Sequence, residues 1–350
     1  MITKDSESTD DIAVPAVAAR DFERVICGYH LSQIRPSARL HGKYLYYAFR
    51  DPQTNAQFEA SATGITRFSI SAGNIKNAEF LLPPLPEQRA IAAYLDRETE
   101  RIDTLVAKKE RLIELLEEKR TALISHAVTK GLDDDAEMKD SGVEWIGAIP
   151  AGWEVVRLKF RAMFKGGGTP SKDNRDYWTG KIPWVSPKDM KVGTVVDTEN
   201  HITREAVRES STSLVKPGSV LIVVRSGILK HTIPVAKNDV EVALNQDLKA
   251  VTPDEMLDAH YLAYLIRGKN DILLLEWTKS GTTVESLEHD RIANTETPIP
   301  PLPEQRAIAA YLDRETERID ALKDKIRDGI ARLKEYRTAL ISAAVTGRID

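Results

Sequence analysis

The chain has 350 residues, of which 42% are hydrophobic and 29% charged, and its formal net charge is −4. This length allows one to three domains. The sequence contains no apolar run of about 18 residues, the length that a membrane-spanning helix needs. The slightly acidic balance excludes a freestanding, strongly cationic nucleic-acid binder. A single cysteine excludes an internal disulfide and a thiolate metal cluster, and it fits a reducing, cytoplasmic compartment.

The amino-terminal segment 1–24 is polar and acidic and lacks the apolar core of a signal peptide. This composition predicts a flexible lead-in over the whole segment. Residues 25–82 come next, with a short apolar segment of strand character at 25–35 and then apolar and aromatic residues at helical spacing over 42–60. The stretch is short for an independent domain.

The segment 83–130 is predicted to form a long helix. Pro86 suits the first helical turn, where its missing N–H costs nothing, and Ala, Leu, Glu, Lys and Arg dominate the rest of the segment. About 42 helical residues give a length of roughly 60 Å. Leucine and isoleucine recur every three to four residues, which is typical of a coiled-coil seam. The stripe residues are Leu95, Ile102, Leu105, Leu112, Leu116 and Leu123.

The beginning of this helix is repeated later in the chain. Residues 83–103 and 300–320 both read PPLPEQRAIAAYLDRETERID, so position 83 corresponds to position 300. A second long helix is therefore predicted within 299–350, and the two similar stripes are expected to pack on each other as an antiparallel coiled coil. Without further evidence, such helices are most simply interpreted as a structural support that carries out no chemistry. The second stripe consists of Leu312, Ile319, Leu322, Ile326, Leu333 and Leu340.

An acidic linker and a larger module lie between the helices. The linker covers residues 131–144 and the module covers residues 145–298, which is enough chain for an independent core. Strand-like and helix-like patterns alternate in the module, so the predicted fold class is mixed α and β (α+β), joined to the two long helices. The predicted strands are 155–160, 219–224 and 241–251, and the predicted helices are 256–267 and 271–277.

The repeat extends weakly into the segments before the two helices. Residues 44–47 read YLYY, and residues 261–264, which the repeat aligns with them, read YLAY. Residues 25–82 therefore resemble only the last third or so of the module 145–298. We interpret them as the carboxyl-terminal part of a first module that lacks its strand-rich front.

No catalytic constellation stands out. The glycine-rich stretch 166–172 has the residue types of a phosphate-binding loop in the wrong order, and it lacks the spacing of a dinucleotide loop. No serine stands in a nucleophile elbow, no acidic pair and lysine share a plausible strand, and the histidines lack metal-ligand spacing. An amino-methyltransferase motif is also missing. A catalytic methyltransferase or nuclease is therefore disfavoured.

A binding function fits the module better. Between residues 156 and 245 there are 15 Lys and Arg against 9 Asp and Glu, so this part is locally basic. Its loops combine Gly, Ser, Thr and Lys, which contact phosphates, while Arg, Lys, Asn and Gln can read base edges. The candidate DNA-binding residues are Thr169, Ser171, Lys172, Lys181, Lys188, Arg225, Ser226, Lys230, His231, Asn245, Gln246, Thr282 and Thr283.

Each candidate also has an ordinary structural explanation. Polar glycine-rich loops are mostly turns, and an exposed lysine is usually only solvated. Asn245 and Gln246 follow a strand-like run and fit a buried polar network equally well. The tryptophans Trp145, Trp153 and Trp184 are expected in the core rather than as platforms for bases.

Taken together, the motifs resemble the specificity subunit of type I restriction–modification systems. The resemblance covers about residues 25–350, and the doubled PLPEQ helix is its most specific element. The motifs that carry it are WIGAIPAGW at 145–153, GGTPS at 167–171, KIPWVSPKDM at 181–190, NQDLKA at 245–250, GTTV at 281–284 and PIPPLPEQRAI at 298–308.

This resemblance implies a non-catalytic subunit that serves phage defence. In that family two target recognition domains each read one half of a bipartite double-stranded DNA target. Two long helices set their spacing and dock the methyltransferase (modification) subunits. No cofactor is expected on this chain, because S-adenosylmethionine belongs to the partner methyltransferase, and neither a metal nor a membrane is implied. Whether a restriction (translocase) subunit also joins is left open.

One part departs from the family pattern, because residues 25–82 lack the front of a recognition domain. A second chain that completes it, self-association, and truncation each explain the departure, and the three stay open. A contrasting hypothesis fits the same helices: a coiled-coil protein–protein scaffold without sequence-specific DNA reading.

Overall fold

The computed structural model describes residues 1–18, 20, 23–24, 26–279 and 284–349. The chain divides into two compact units, each built from a module and parts of two long helices. The first unit consists of Met1–Glu114 and Leu322–Asp350, and the second unit consists of Leu115–Ala321.

The first unit carries short helices and two small antiparallel sheets. Asp51 caps its second helix, since the carboxylate accepts a hydrogen bond from Thr54 N at 3.0 Å and Pro52 fills the first turn. The strands are β1 (Ile2–Thr3), β2 (Asp5–Ser6), β3 (Leu31–Ser32) and β4 (Phe68–Ser69), with β1 paired to β3 and β2 to β4; the helices are α1 (Gly42–Ala48), α2 (Pro52–Ser61), α3 (Ala72–Lys76) and the long α4 (Leu85–Lys130), which begins here.

The lead-in predicted at residues 1–24 is wrong in its amino-terminal part, which is built into the core. Ile2 and Ile12 are 2% and 0% exposed, and they share a hydrophobic core with Phe49 and Phe58. A few isolated apolar residues bury fully here, and each contributes roughly 1.5–3 kcal/mol. The polar residues between them stay at the surface, so average composition hides the contribution of this segment.

The second unit contains the larger sheets. The predicted strand at 241–251 is in fact two strands separated by a turn, which Asn245 stabilises by accepting a hydrogen bond from Asp247 N at 2.6 Å. The strands are β5 (Met138–Asp140), β6 (Ala148–Pro150), β7 (Glu154–Arg157), β8 (Ala162–Gly166), β9 (Ile182–Val185), β10 (Thr194–Val195), β11 (His201–Ile202), β12 (Leu214–Val215), β13 (Val220–Val223), β14 (Val235–Asn238), β15 (Val242–Leu244), β16 (Leu248–Pro253) and β17 (Glu296–Ile299); the helices are α5 (Arg204–Arg208), α6 (Ala259–Gly268), α7 (Asn270–Trp277), α8 (His289–Ala293) and the long α9 (Leu302–Val345), which begins here.

Two sheets form the centre of the second unit. One has the strand order β10-β14-β13-β16-β8 and the other the order β11-β9-β15-β12, while β17 pairs with β7 and β5 with β6. All four residues of β13 are buried, as expected for a continuous apolar run at the middle of a covered sheet. Helix α6 packs its apolar residues into the same core. The predicted mixed α and β fold with two long helices is confirmed.

The long helices run antiparallel where they contact each other. In the first unit, Arg337 Nε donates to Asp103 Oδ1 at 2.9 Å, and Lys334 lies 3.9 Å from Glu110, so the numbers rise along one helix as they fall along the other. In the second unit, Arg120 lies 3.7 Å from Asp320. No helix in the described part of the chain is long and apolar enough to cross a membrane.

Three of the predicted stripe residues lie outside the helix seam. Leu105, Leu112 and Leu322 are 41–44% exposed. The neighbouring residues Val106 and Ile113 are half-buried, and Lys323 is buried. The positions 102-105-109-112-116 and 102-106-109-113-116 both alternate steps of three and four residues, and the structure turns the second set towards the seam. The other stripe residues are buried (Leu95, Ile102, Leu116, Leu312, Ile319, Ile326 and Leu340) or half-buried (Leu123 and Leu333).

Candidate nucleic-acid interface

Several loops of the second unit leave the two sheets at one end. In the five-stranded sheet Gly166, the last residue of β8, lies opposite Lys249, and Val223, the last residue of β13, lies opposite Leu248. In the other sheet the ends of β9 and β15 lie side by side, because these strands are parallel. We call this end the loop edge, and it consists of residues 167–172, 186–190, 224–232 and 245–247.

Most of the predicted DNA-binding residues lie on the loop edge. Lys181 does not, because it precedes β9 and therefore lies at the opposite end of that strand, beside Glu241, which precedes β15. Thr282 and Thr283 lie outside the described residues. The candidates that the loop edge brings together are Thr169, Ser171, Lys172, Lys188, Arg225, Ser226, Lys230, His231, Asn245 and Gln246.

The glycine loop is shaped by contacts inside the protein. A Cβ on Gly167 would lie 2.0 Å from the carbonyl oxygen of Asn245, and one on Gly168 would lie 2.2 Å from Ser211 Oγ. Gly168 N donates to Leu244 O at 2.8 Å, and its carbonyl accepts from Trp184 Nε1 at 3.0 Å. Gly167 therefore permits close packing on the β15–β16 turn, and Gly168 permits close packing on Ser211.

The β15–β16 turn contains one buried polar residue and one exposed polar residue. Asn245 is buried, and its backbone N–H donates to Val185 O at 2.9 Å. Its side-chain oxygen stabilises the turn by accepting a hydrogen bond from Asp247 N. Asn245 thus has a structural role in this turn. Gln246 is exposed, and its side-chain oxygen accepts a hydrogen bond from the Thr169 hydroxyl. The turn and the glycine loop are therefore joined at the surface by two polar side chains.

The loop after β13 carries exposed basic side chains, and hydrogen bonds hold its backbone in place. Arg225 N donates to Asp247 O at 3.3 Å, and Ser226 N donates to Glu285 O at 3.1 Å. The Ser226 hydroxyl accepts from Ile228 N at 3.4 Å and caps the short 3-10 turn Gly227–Lys230. The side chains of Arg225, Lys230 and His231 are exposed and project from this anchored segment.

The charged groups of the loop edge are cations open to solvent. Lys172, Lys188, Arg225 and Lys230 are exposed, and none forms an ion pair with another residue in the described part of the chain. Lys279 is a further exposed cation, which was not among the predicted DNA-binding residues. Its backbone N–H donates to Ser286 O at 2.8 Å, and Ser286 lies opposite Arg225. Unpaired cations on loops fixed by strand ends suit a polyanion.

Two titratable groups with shifted pKa values, Lys249 and His289, lie beside the five-stranded sheet. Burial lowers the pKa of Lys249 in β16, and Asp290 partly offsets this. Burial also lowers the pKa of His289, with Lys249 adding to the effect, and the imidazole packs edge-on to Phe164 at 5.2 Å. No three or more His, Cys, Asp or Glu side chains among the described residues are grouped so that they could hold a metal ion.

The sequence and fold match one protein family. A family model described as the type I restriction modification DNA specificity domain matches residues 10–115 and 150–332. The chain is 40% identical over 173 residues to the specificity subunit of the type I restriction enzyme EcoR124I/EcoR124II from Escherichia coli, covering 49% of this chain and 42% of that protein. It is 32% identical over 170 residues to the MjaIX specificity subunit from Methanocaldococcus jannaschii, covering 48% and 38%. The chain therefore spans about two fifths of the length of these two curated relatives.

Solved structures share the fold. A chain from a structural study of complex assembly and conformational transition of the type I R-M system superimposes with a TM-score of 0.70 at 22% identity, covering 88% of this chain and 72% of that one. The HsdS subunit from Thermoanaerobacter tengcongensis superimposes with a TM-score of 0.55 at 21% identity, covering 89% and 71%.

Proposed function

The chain belongs to the type I restriction modification DNA specificity family, and on this premise we propose that it is a non-catalytic subunit that reads double-stranded DNA through the loop edge of its second unit. The observation that carries this proposal is the convergence of loops from both sheets at one end. Exposed, unpaired Lys172, Lys188, Arg225 and Lys230 lie on those loops.

The loop edge offers two kinds of contact to a duplex. The four cations would neutralise phosphates and fix the register of the protein on the backbone. Gln246 and Arg225 have the donor geometry that reads adenine and guanine edges in the major groove. The backbone hydrogen bonds of Arg225 and Ser226 hold this loop in place before DNA arrives, which reduces the entropy lost on binding.

The long helices supply the second part of the proposal. We infer that they set the spacing between two halves of a bipartite DNA target and dock the methyltransferase subunits, with S-adenosylmethionine carried by that partner. The exposed Leu105, Leu112 and Leu322 offer apolar surface for such a partner. The second unit reads one half of the target in this scheme. The scaffold alternative gains no support from the second unit, because a scaffold needs no cluster of unpaired cations.

The proposal is tested with the chain co-purified with its methyltransferase subunits. Adenine methylation is mapped across a host genome with and without this gene, and the complex is then titrated onto a duplex that carries the mapped site and onto a scrambled duplex. We expect a methylated bipartite motif that disappears with the gene, and preferential binding of the mapped duplex. Equal binding of both duplexes would contradict sequence-specific reading.

A further inference from the structure

The turn that carries Gln246 on the loop edge has an equivalent in the first unit. The repeat aligns residues 28–31 with residues 245–248, so Tyr29 holds the position of Gln246. In each turn the backbone N–H of the fourth residue donates to the carbonyl of the first, at 3.0 Å in the first unit and at 3.1 Å in the second. The two turns therefore share the hydrogen bond that closes them.

The strand beside each turn is also held in the same way. Thr3 of β1 pairs with Leu31, and Val223 of β13 pairs with Leu248, the residue that the repeat aligns with Leu31. Beyond these pairs, two backbone hydrogen bonds in each unit join the strand to the turn and to a later segment of the chain. They are Lys4 N to His30 O at 2.9 Å and Val224 N to Asp247 O at 2.8 Å, followed by Ile70 N to Lys4 O and Leu287 N to Val224 O, both at 2.8 Å. The backbone around Tyr29 therefore has the same hydrogen-bonded arrangement as the backbone around Gln246.

Tyr29 projects into solvent from this turn, and it is 79% exposed. Lys4 Nζ lies over its ring, 4.7 Å from the centroid, and the His30 ring packs edge-on to it with 5.1 Å between centroids. These two neighbours restrict the ring and still leave most of its surface open. An aromatic side chain that is restricted before it binds loses less freedom when it contacts a ligand.

The charged residue next to this turn differs from its equivalent in the second unit. Asp5 holds the position of Arg225, since each lies two residues after the end of the equivalent strand, β1 or β13. The Asp5 carboxylate is already engaged, because Arg67 Nε donates to it at 3.3 Å and His30 Nδ1 also contacts it. The first unit therefore presents the ring of Tyr29 where the second presents an amide, and an engaged carboxylate where the second presents a guanidinium.

We propose that Tyr29 is a base-reading residue of the first unit and that its ring packs on the C5 methyl group of a thymine, in the half of the target that the second unit does not read. This inference rests on the proposed function, because it carries the DNA contact of the loop edge over to the equivalent turn. The thymine methyl is the apolar group that base pairs expose in the major groove, where apolar side chains recognise it. An aromatic ring suits this contact better than an amide does. The Lys4 ammonium beside the ring would neutralise a phosphate of the same half-target.

The test uses the chain co-purified with its methyltransferase subunits and the duplex that carries the mapped site. In a series of duplexes one thymine at a time is replaced by uracil, which removes only the C5 methyl group. We expect a position at which uracil weakens binding of the unmodified complex about fourfold, the value of one buried methyl group. Tyr29→Phe keeps the ring and should keep this sensitivity, whereas Tyr29→Ala should bind the thymine and uracil duplexes equally at that position.

The matched control is Phe160→Ala. Phe160 is 64% exposed and Lys159 Nζ lies 5.3 Å from its ring centroid, but it precedes β8, at the end of that strand opposite to the loop edge. This variant should keep every uracil sensitivity of the unmodified complex, and circular dichroism checks that each variant stays folded.

Two results would overturn the role of Tyr29 alone. One is a Tyr29→Ala complex that keeps all the uracil sensitivities of the unmodified complex. The other is weaker binding by Tyr29→Ala to thymine and uracil duplexes with unchanged discrimination between them, because the ring would then contact the DNA backbone. Equal binding of the mapped and scrambled duplexes by the unmodified complex would instead overturn the DNA-reading proposal together with this one, so the two failures are distinguishable.

Discussion

Gln88 and Gln305, which hold the same position in the two copies of the repeat, make the same three hydrogen bonds. Each accepts a bond at 2.7 Å from the backbone N–H of a residue in the preceding module, His41 and Asp258 respectively. Each donates at 2.8 Å to the carbonyl of the proline five residues earlier. Their third bonds, to the carbonyls of residues 39 and 256, measure 3.0 and 2.9 Å. The repeated PLPEQ motif therefore joins each module to the start of its long helix.

Removing either glutamine should destabilise the protein. Both side chains are fully buried, so Gln88→Ala and Gln305→Ala each leave three backbone groups without partners. We expect a loss of about 2–3 kcal/mol in the free energy of unfolding for each variant, measured by urea denaturation. Gln246→Ala, at an exposed position, is the control and should cost less than about 0.5 kcal/mol. Equal stability of all three variants would show that these bonds do not hold the modules.

Tyr47 and Tyr264 also hold equivalent positions in the two copies of the repeat. They should make the stability of the protein fall as the pH becomes alkaline. Burial raises the pKa of each phenol to about 12, and hydrogen bonds to Asp96 and Asp313 add to the rise. Because the folded pKa lies above the ordinary value of 10.0, their stabilisation is complete below pH 10 and is lost as the pH rises towards 12.

The double variant Tyr47→Phe and Tyr264→Phe should therefore lose less stability than the unmodified protein across this alkaline window. Urea midpoints measured at intervals between about pH 9 and about pH 12 provide the comparison. Tyr336→Phe, at an exposed position, serves as the control and should keep the original dependence. Identical pH profiles for the double variant and the unmodified protein would contradict the assignment.

Two adjacent glycines at the end of β8, Gly166 and Gly167, should differ in how much stability they lose on substitution by alanine. A Cβ on Gly166 meets nothing within 4 Å, whereas one on Gly167 would lie 2.0 Å from Asn245 O. Gly167→Ala should therefore shift the β15–β16 turn and lower stability by about 1–3 kcal/mol, while Gly166→Ala should be close to neutral. Thermal unfolding of the two variants distinguishes them, and similar melting temperatures would show that the turn yields without cost.

The long helices could be predicted from the sequence, but the phase of their seam could not. Leu105 and Leu112 are typical seam residues at alternating steps of three and four, and the neighbouring Val106 and Ile113, which lie in the seam, have the same alternation. A buried lysine at 323 conceals the seam further. Spacing fits either set of positions, so residue type decided the prediction, and only the packing of the two helices fixes the phase of the seam.

The loop edge could be predicted only in part. Loops rich in Gly, Thr and Lys indicated segments that the structure brings together at the loop edge, because such residues occur where strands end. Lys181 and Lys188 flank the same strand, and only the strand direction decides that one lies on the edge and the other at the opposite end. Strands β1 and β13 pair antiparallel with β3 and with the start of β16, which the repeat aligns, but this likeness was not visible in the sequence because β1 and β13 share little of it.

Substitutions on the loop edge should lower the salt dependence of DNA binding. If Lys188 and Arg225 each contact a phosphate, Lys188→Ala and Arg225→Ala should each reduce the slope of log affinity against log salt by about one. Lys181→Ala is a matched control, since this lysine lies just before β9 and away from the edge. Filter-binding titrations of the methyltransferase complex at several salt concentrations give the slopes. A reduction for Lys181→Ala equal to the others would remove the loop edge as the contact surface.

Lengthening both long helices by one heptad should change the spacer between the two halves of the DNA target. Lys109 Nζ lies 3.3 Å from the position of a Cβ on Gly329, so the segments 103–109 and 330–336 lie opposite each other within the first unit. Duplicating both keeps the seam in phase and extends each helix by ~10 Å. If the helices set the spacing, the preferred spacer grows by about three base pairs at ~3.4 Å each, which methylation mapping would detect. Duplicating 103–109 alone leaves the added heptad unpaired and should cost stability rather than change the spacer. An unaltered spacer in the double duplication would show that the helices do not measure the target.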